Sequence, residues 1–141
     1  MLMIMSNHKV RKIFDNLSLI AAASPKVAHH RHAAAVVLKK RVISYGVNSY
    51  KSSPFQARFA KKSWNIFQHA EVSAIKNSLR FLDVSELKYT TLYVCRIKHL
   101  TQSGPLVWGN SKPCEGCQKA ISKCNKKNVW YTSDSDVIEQ L

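Results

Sequence analysis

Apolar positions recur along this chain with two different periods. Val10, Ile13, Phe14, Leu17 and Ile20 fall on one helical face, which predicts an amphipathic helix over residues 8–23, with Asn7 able to cap it and Ser24-Pro25 to stop it. His32-Ala33-Ala34-Ala35-Val36-Val37-Leu38 and Val42-Ile43-Ser44-Tyr45-Gly46-Val47 flank the basic corner Lys39-Lys40-Arg41 and read as a two-stranded hairpin. Residues 48–68 have no period and read as a long loop. Val72, Ala74, Ile75 and Leu79 predict a second helix over residues 70–81, and Tyr89-Thr90-Thr91-Leu92-Tyr93-Val94-Cys95 a central strand. Residues 98–112 read as a second loop, and Pro113 opens a third helix running to about Lys123. Asn128-Val129-Trp130-Tyr131-Thr132 is a last strand, followed by a terminal turn that Asp134 or Asp136 can cap. Two strands joined through a helix run parallel by a right-handed crossover. The order α-β-β-α-β-α-β therefore predicts one α/β domain over residues 1–141, a mixed sheet with helices on both faces.

Charge changes this picture more than composition does. The 141 residues are 45% hydrophobic and 21% charged, which excludes a disordered chain or a collagen-like repeat. The formal net charge is +14. Twelve Lys/Arg against the lone acid Asp15 place a net +11 in residues 1–68. Such a field attracts phosphorylated small molecules or polyanions. No apolar stretch is long enough for a membrane span, and Met1-Leu2-Met3-Ile4-Met5 is too short for an export signal. The expectation is a cytoplasmic protein without a membrane partner, whose cysteines Cys95, Cys114, Cys117 and Cys124 are thiols or metal ligands.

Two short motifs carry chemistry. His69-Ala70-Glu71 starts the second helix, and Pro113-Cys114-Glu115-Gly116-Cys117 starts the third. A single strand separates them, so both helix starts belong at one edge of the sheet, where ligand sites of open α/β sheets form. Cys114 and Cys117 are three residues apart and can grip one ion, and a helix N-terminus favours their thiolates. His69 supplies a third donor, and three protein ligands with an open fourth position form the pattern of a catalytic zinc. Residues i and i+2 diverge in mid-helix, so His69 and Glu71 converge only if His69 sits at the cap. Two thiolates leave a zinc-held water weakly acidic, so a neighbouring base is needed, and Glu71 is placed to take its proton and return it. This chemistry suits hydrolytic attack on an electron-poor carbon bearing an amino leaving group.

The two motifs together resemble the signature of the zinc-dependent cytidine/deoxycytidylate deaminase superfamily, a resemblance that covers residues 29–133. It implies a cytidine deaminase-like three-layer α/β/α sandwich with a mixed sheet of four to five strands. It implies Zn2+ on His69, Cys114 and Cys117, with Glu71 as the catalytic proton shuttle. It further implies that Asn48, just after the second strand, contacts base or sugar, and that the backbone of Ala70 holds the pyrimidine carbonyl. Lys112 before Pro113, the long 96–112 loop, Ser49-Tyr50-Lys51-Ser52-Ser53-Pro54 after the Asn and an early end after the fourth strand depart from the common pattern.

Three readings of function follow. The first is hydrolytic deamination of a free CMP- or dCMP-type nucleoside or nucleotide, with zinc-activated water releasing ammonia and Lys51, Arg31 or Arg96 available to a phosphate. The second is deamination of a base within RNA or single-stranded DNA, supported by the positive charge and by Tyr50, Phe55, Phe59, Trp64, Phe67 and Trp108 as stacking candidates. The third is an inactive binding module on the same fold, against which Glu71 argues. A homo-oligomer is expected from the resemblance, and His29, His30 and His32 are candidates for a second metal site.

Overall fold

The small and branched side chains of Ala33, Ala34, Ala35 and Val36 are all fully buried, although they point alternately to the two faces of one strand. A strand buried on both sides needs a layer on each face, which explains the unbroken apolar run. The computed structural model describes residues 7–24, 31–51, 68–124 and 128–141, and the elements below lie within them.

Helix α1 (Asn7–Ala23) is followed by strands β1 (Arg31–Leu38) and β2 (Arg41–Val47), helix α2 (Ala70–Ser78), a 3-10 turn (Val84–Tyr89), strands β3 (Thr91–His99) and β4 (Leu106–Gly109), helix α3 (Glu115–Lys123), and strands β5 (Asn128–Thr132) and β6 (Ile138–Gln140). The strands form one mixed sheet in the order β2-β1-β3-β5-β6. Strand β3 pairs in parallel with β5 through Thr91–Val94, and β4 pairs antiparallel with the C-terminal part of β3, from Arg96↔Gly109 to His99↔Leu106. On one face α1 packs Ile13, Phe14, Leu17 and Ala21 against Ala33, Ala35, Val37, Tyr93, Cys95 and Ile97. On the other, Ala70, Ala74 and Ile75 of α2 and Ile121 of α3 pack against Ala34, Val36, Leu92, Val94, Val129 and Tyr131. The three layers and the parallel crossover are those the element order predicts.

The sheet has six strands rather than four or five. Strand β4 lies inside the segment read as a loop, and β6 replaces the expected terminal turn. Asp136 takes a left-handed φ of 58° in the connection between β5 and β6, and Asp134 accepts from Lys98 Nζ and the Asn110 backbone N–H, so neither caps a helix. Strand β6 thus adds a further strand after Asn128–Thr132. The hairpin between β1 and β2 turns on Lys39 and Lys40, both with positive φ (50° and 66°), the twist that a two-residue hairpin loop demands. No described helix is long and apolar enough to cross a membrane.

Candidate metal centre and active site

Both chemical motifs end in a helix cap. His69 is the N-cap of α2, with extended backbone (φ −81°, ψ 159°) and a carbonyl that accepts from Ser73 N–H. Cys114 is the N-cap of α3 (φ −65°, ψ 166°), its sulfur accepts from the Cys117 backbone N–H, and its carbonyl accepts from Gln118 N–H. The extended conformation frees the cap side chain from the helical spiral, so His69 and Glu71 face one region despite their i, i+2 spacing. The CxxC pair is thus a cap and its third helical residue, with Pro113 just outside the helix.

The topology brings the caps together. Helix α2 leads into β3 and α3 follows β4, so both N-termini lie where β3 ends. His69 Nδ1 is 3.1 Å from Cys117 Sγ and 3.7 Å from Cys114 Sγ, and the three donors lie within 4.8 Å of one another. A tetrahedral zinc with Zn–N of about 2.0 Å and Zn–S of about 2.3 Å sets its N···S edges near 3.6 Å. The donor triangle has that size, and its nitrogen-and-two-sulfur composition suits Zn2+. Among the described residues, no other group of three His, Cys, Asp or Glu side chains could hold an ion.

The charges respond to this crowding. Hydrogen bonding from the Cys117 thiol, opposed by burial and helped by His69, pulls the Cys114 thiol down to about 4. Burial works to lower the His69 pKa, but its hydrogen bond to Cys114 and the negative charges of Glu71 and Cys114 outweigh that and raise it. Glu71 is 5% exposed, and burial raises its carboxyl against the opposing pull of His69. A carboxyl that burial keeps from ionising, beside a metal-sized donor triangle, is equipped to take up and return a proton.

Backbone contacts position these groups. Asn48 Oδ1 accepts from His32 N–H at 3.0 Å, Ser49 N–H donates to Gln68 O, and Gln68 N–H donates to Lys51 O, so the end of β2 is stitched to the residue before His69. Asn48 is buried at that junction, and Ala70 is the first residue of α2, where backbone N–H groups lack an intrahelical acceptor. Two features carry no motif and escape sequence reasoning. A Cβ on Gly46 would stand 2.6 Å from Ala70 O and 2.8 Å from Ser73 C, and closer still to Ala74 N, so α2 rests directly on the backbone of β2. Ser111, between β4 and α3, is buried against Thr132: its N–H donates to Thr132 O, its hydroxyl donates to Val94 O at 2.8 Å and accepts from Thr132 N–H at 2.8 Å. This clasp anchors the segment that delivers Cys114.

Other candidate residues lie elsewhere. Trp108 is not a stacking platform: it is 8% exposed and packs on Phe14, with its Nε1–H donating to Ser18 Oγ. Phe55, Phe59, Trp64 and Phe67 fall outside the described residues, as do His29 and His30, whereas Tyr50 and Lys51 are exposed at the end of the hairpin. Arg31 and Arg96 line a cavity apart from the donor triangle.

The chain matches the family described as "Cytidine and deoxycytidylate deaminase zinc-binding region" over residues 8–133. Among solved structures it is similar to the dCMP deaminase from the cyanophage S-TIM5 in apo form, with 17% identity, a TM-score of 0.59, and 94% of this chain and 88% of that one covered. The same enzyme in complex with dCMP and dUMP matches with 17% identity and a TM-score of 0.60, over 91% and 83% of the two chains. No protein with a curated description matches the sequence.

Proposed function

Because the chain belongs to the zinc-binding cytidine and deoxycytidylate deaminase family of hydrolytic deaminases, we propose that it removes the exocyclic amino group of a cytosine nucleotide of the CMP/dCMP class. One observation carries this reading: the triangle of His69 Nδ1, Cys114 Sγ and Cys117 Sγ stands beside a buried carboxyl, Glu71, held in the first turn of the same helix as the histidine. A site built only to hold a structural ion has no use for that carboxyl. A similar fold crystallised with dCMP and dUMP supports a nucleotide substrate.

His69, Cys114 and Cys117 would hold Zn2+, which supplies Lewis-acid activation of the attacking water. Glu71 would take one proton from this water and pass it to the ring nitrogen, then take the second from the hydroxyl added at the ring carbon and deliver it to the amino group, which leaves as ammonia as the carbonyl forms. Its burial serves this role, because a carboxyl that resists ionisation accepts a proton readily and keeps it out of solvent. Asn48 and the backbone of Ala70 orient the base against that carboxyl. The thiolate of Cys114 is ready to bind metal at neutral pH.

The test is ammonia release from cytidine, CMP, dCMP and short oligonucleotides, with metal content measured on the same preparations. The wild type is expected to turn over CMP or dCMP and to carry about one zinc per chain. Glu71→Gln is expected to keep the zinc and lose activity by about 10²–10⁴-fold, the contribution of a positioned general acid–base. Full activity in Glu71→Gln, or stoichiometric zinc after His69→Ala or Cys114→Ala, would contradict the assigned roles. The net +11 in residues 1–68 favours a second reading, a base within RNA or single-stranded DNA as substrate. That reading requires oligonucleotide turnover whose binding weakens steeply with salt.

A further inference from the structure

We propose that the end of the sheet opposite the donor triangle is a docking surface for single-stranded nucleic acid, separate from the site of chemistry. His69 and Cys114 cap the N-termini of α2 and α3, whereas this surface lies where α2 finishes. Helix α2 runs back along β2: Gly46 lies under Ala70 and Ser73, Ser44 Oγ donates to Ala74 O, and Asn77 Nδ2 donates to Tyr45 O. Its last turn therefore heads toward Arg41, the first residue of β2. The ladder between β1 and β3 closes at Val37↔Thr91, which sets the hairpin turn Lys39-Lys40 beside the Lys88-Tyr89 entry to β3. The hairpin turn, the residues after α2 and the 3-10 turn thus meet at one end, and Lys39, Lys40, Arg41, Arg80 and Lys88 are all exposed there.

These cations are not held by the fold itself. Ion pairs among the described residues engage Arg11, Lys98 and Lys119, and none engages these five. The acids at this end, Asp83 and Glu86, each accept from the other's backbone N–H in the capping box of the 3-10 turn. The turn itself points to a role for its charge. Positive φ at both central positions is the conformation that Asn-Gly fills with least strain. This chain sets lysines there, at φ 50° and 66°, although L side chains enter that region at a cost. Strain of this kind persists where a function holds the residue in place. Lys76 and Lys123 lie in the last turns of α2 and α3 and answer the helix dipoles. Lys39 and Lys40 end no helix, so no dipole accounts for them.

Exposed rings stand among the cations. Phe81, just past α2, is 71% exposed, and Tyr89 is 65% exposed with Lys88 Nζ 5.1 Å from its ring centroid. Cations that track a phosphodiester backbone and aromatic faces that stack unpaired bases are the two elements of single-strand recognition. An acidic peptide would engage the cations and leave the rings in water. A duplex would keep its bases stacked on one another. A single strand uses both, and the formal net charge of +14 draws it to the chain.

The probe is a fluorescein-labelled oligouridylate of about 20 nucleotides, longer than one single-strand site, titrated into the zinc-loaded full chain and followed by anisotropy over a range of salt concentrations. Uracil has no exocyclic amino group, so binding is read apart from deamination and stands or falls separately from it. The double variant Lys39→Asn/Lys40→Gly removes two charges and installs the residues that this turn prefers, so its melting temperature and zinc content are expected to hold. Its affinity is expected to fall about 25-fold at about 0.1 M salt, and its salt slope to become shallower by about 1.4, at about 0.7 per phosphate contact on a single strand. Phe81→Ala/Tyr89→Ala lies outside the hairpin, and about tenfold weaker binding at an unchanged salt slope is expected from lost stacking. Absence of saturable binding by the wild type, or undiminished binding in either double variant, overturns the proposal. Polyglutamate of equal length that competes as well as unlabelled oligouridylate overturns it too, because charge alone would then account for the surface.

Discussion

Gly46→Ala tests whether the position of the histidine and its carboxyl is set by strand β2. Gly46 pairs with Ala34 in the hairpin and has an ordinary backbone conformation, so its missing side chain, not its flexibility, is at stake. The Cβ of an alanine there would stand 2.6 Å from Ala70 O and 2.8 Å from Ser73 C, and nearer still to Ala74 N, where ordinary contacts begin at 3.4 Å. All three neighbours are backbone atoms, so no rotamer change relieves the clash. Helix α2 must retreat by roughly 1 Å, the distance set by the tightest contact at Ala74 N, or the hairpin must, at the 1–3 kcal/mol typical of overpacking. Metal sites tolerate displacements of only about 0.2 Å. His69 and Glu71 ride on α2, whereas Cys114 and Cys117 ride on α3, so the retreat opens the triangle from one side. Turnover is expected to fall by roughly tenfold to a hundredfold, as misplacement by most of an ångström does. Urea unfolding, zinc content and ammonia release measured on one preparation read all three effects. A Gly46→Ala protein with an unchanged urea midpoint, full zinc and unchanged turnover would refute the claim that α2 rests on that backbone.

The other expectations follow from the same packing. In metal-free protein Cys114, with its thiol near 4, stays a thiolate as pH falls to 5–6, whereas an ordinary thiol near 9.0 is ionised at pH 6 only to about one part in a thousand. Iodoacetamide at pH 6 should therefore alkylate Cys114, zinc should protect it, and buried Cys95, pushed up to about 11, should stay unmodified; alkylation of Cys114 that rises only toward pH 8–9 would contradict the hydrogen-bonded thiolate. Ser111→Ala leaves Thr132 N–H without its side-chain acceptor and Val94 O without its hydroxyl donor. It should cost about 1–3 kcal/mol in urea unfolding and lower zinc affinity, and an unaltered midpoint would show that the clasp is dispensable.

Much of this arrangement was legible in the sequence because long, periodic segments announce themselves. The five-position stripe of α1, the unbroken apolar run of β1 and the two motif helices all lie where their spacing puts them. What escaped detection was short or had its cues masked by neighbours. Leu106-Val107-Trp108-Gly109 is only four residues, set between Gly104-Pro105 and Asn110, and its pairing depends on β3 rather than on local propensity. Trp108 reads as a loop aromatic, yet the antiparallel register turns it onto Phe14 beneath α1. Strand β6 has three residues and exists because β5 offers it an edge. The 3-10 turn did leave a usable signal: Asp83 and Glu86 form a reciprocal capping box, a pattern visible in Asp-Val-Ser-Glu. The donor triangle was legible for a different reason, since its residue types are chemically rare in combination, whereas Gly46 and Ser111 are common residues whose roles exist only in three dimensions.

The charges at the donor triangle are matched to one another. Two thiolates offset a divalent cation, so the donor triangle with its metal adds little net charge. The positive ends of α2 and α3 are met by those thiolates and by Glu71. Within the deaminase reading, the comparison of KM for dCMP and cytidine in the wild type measures what a phosphate adds to binding beyond that centre.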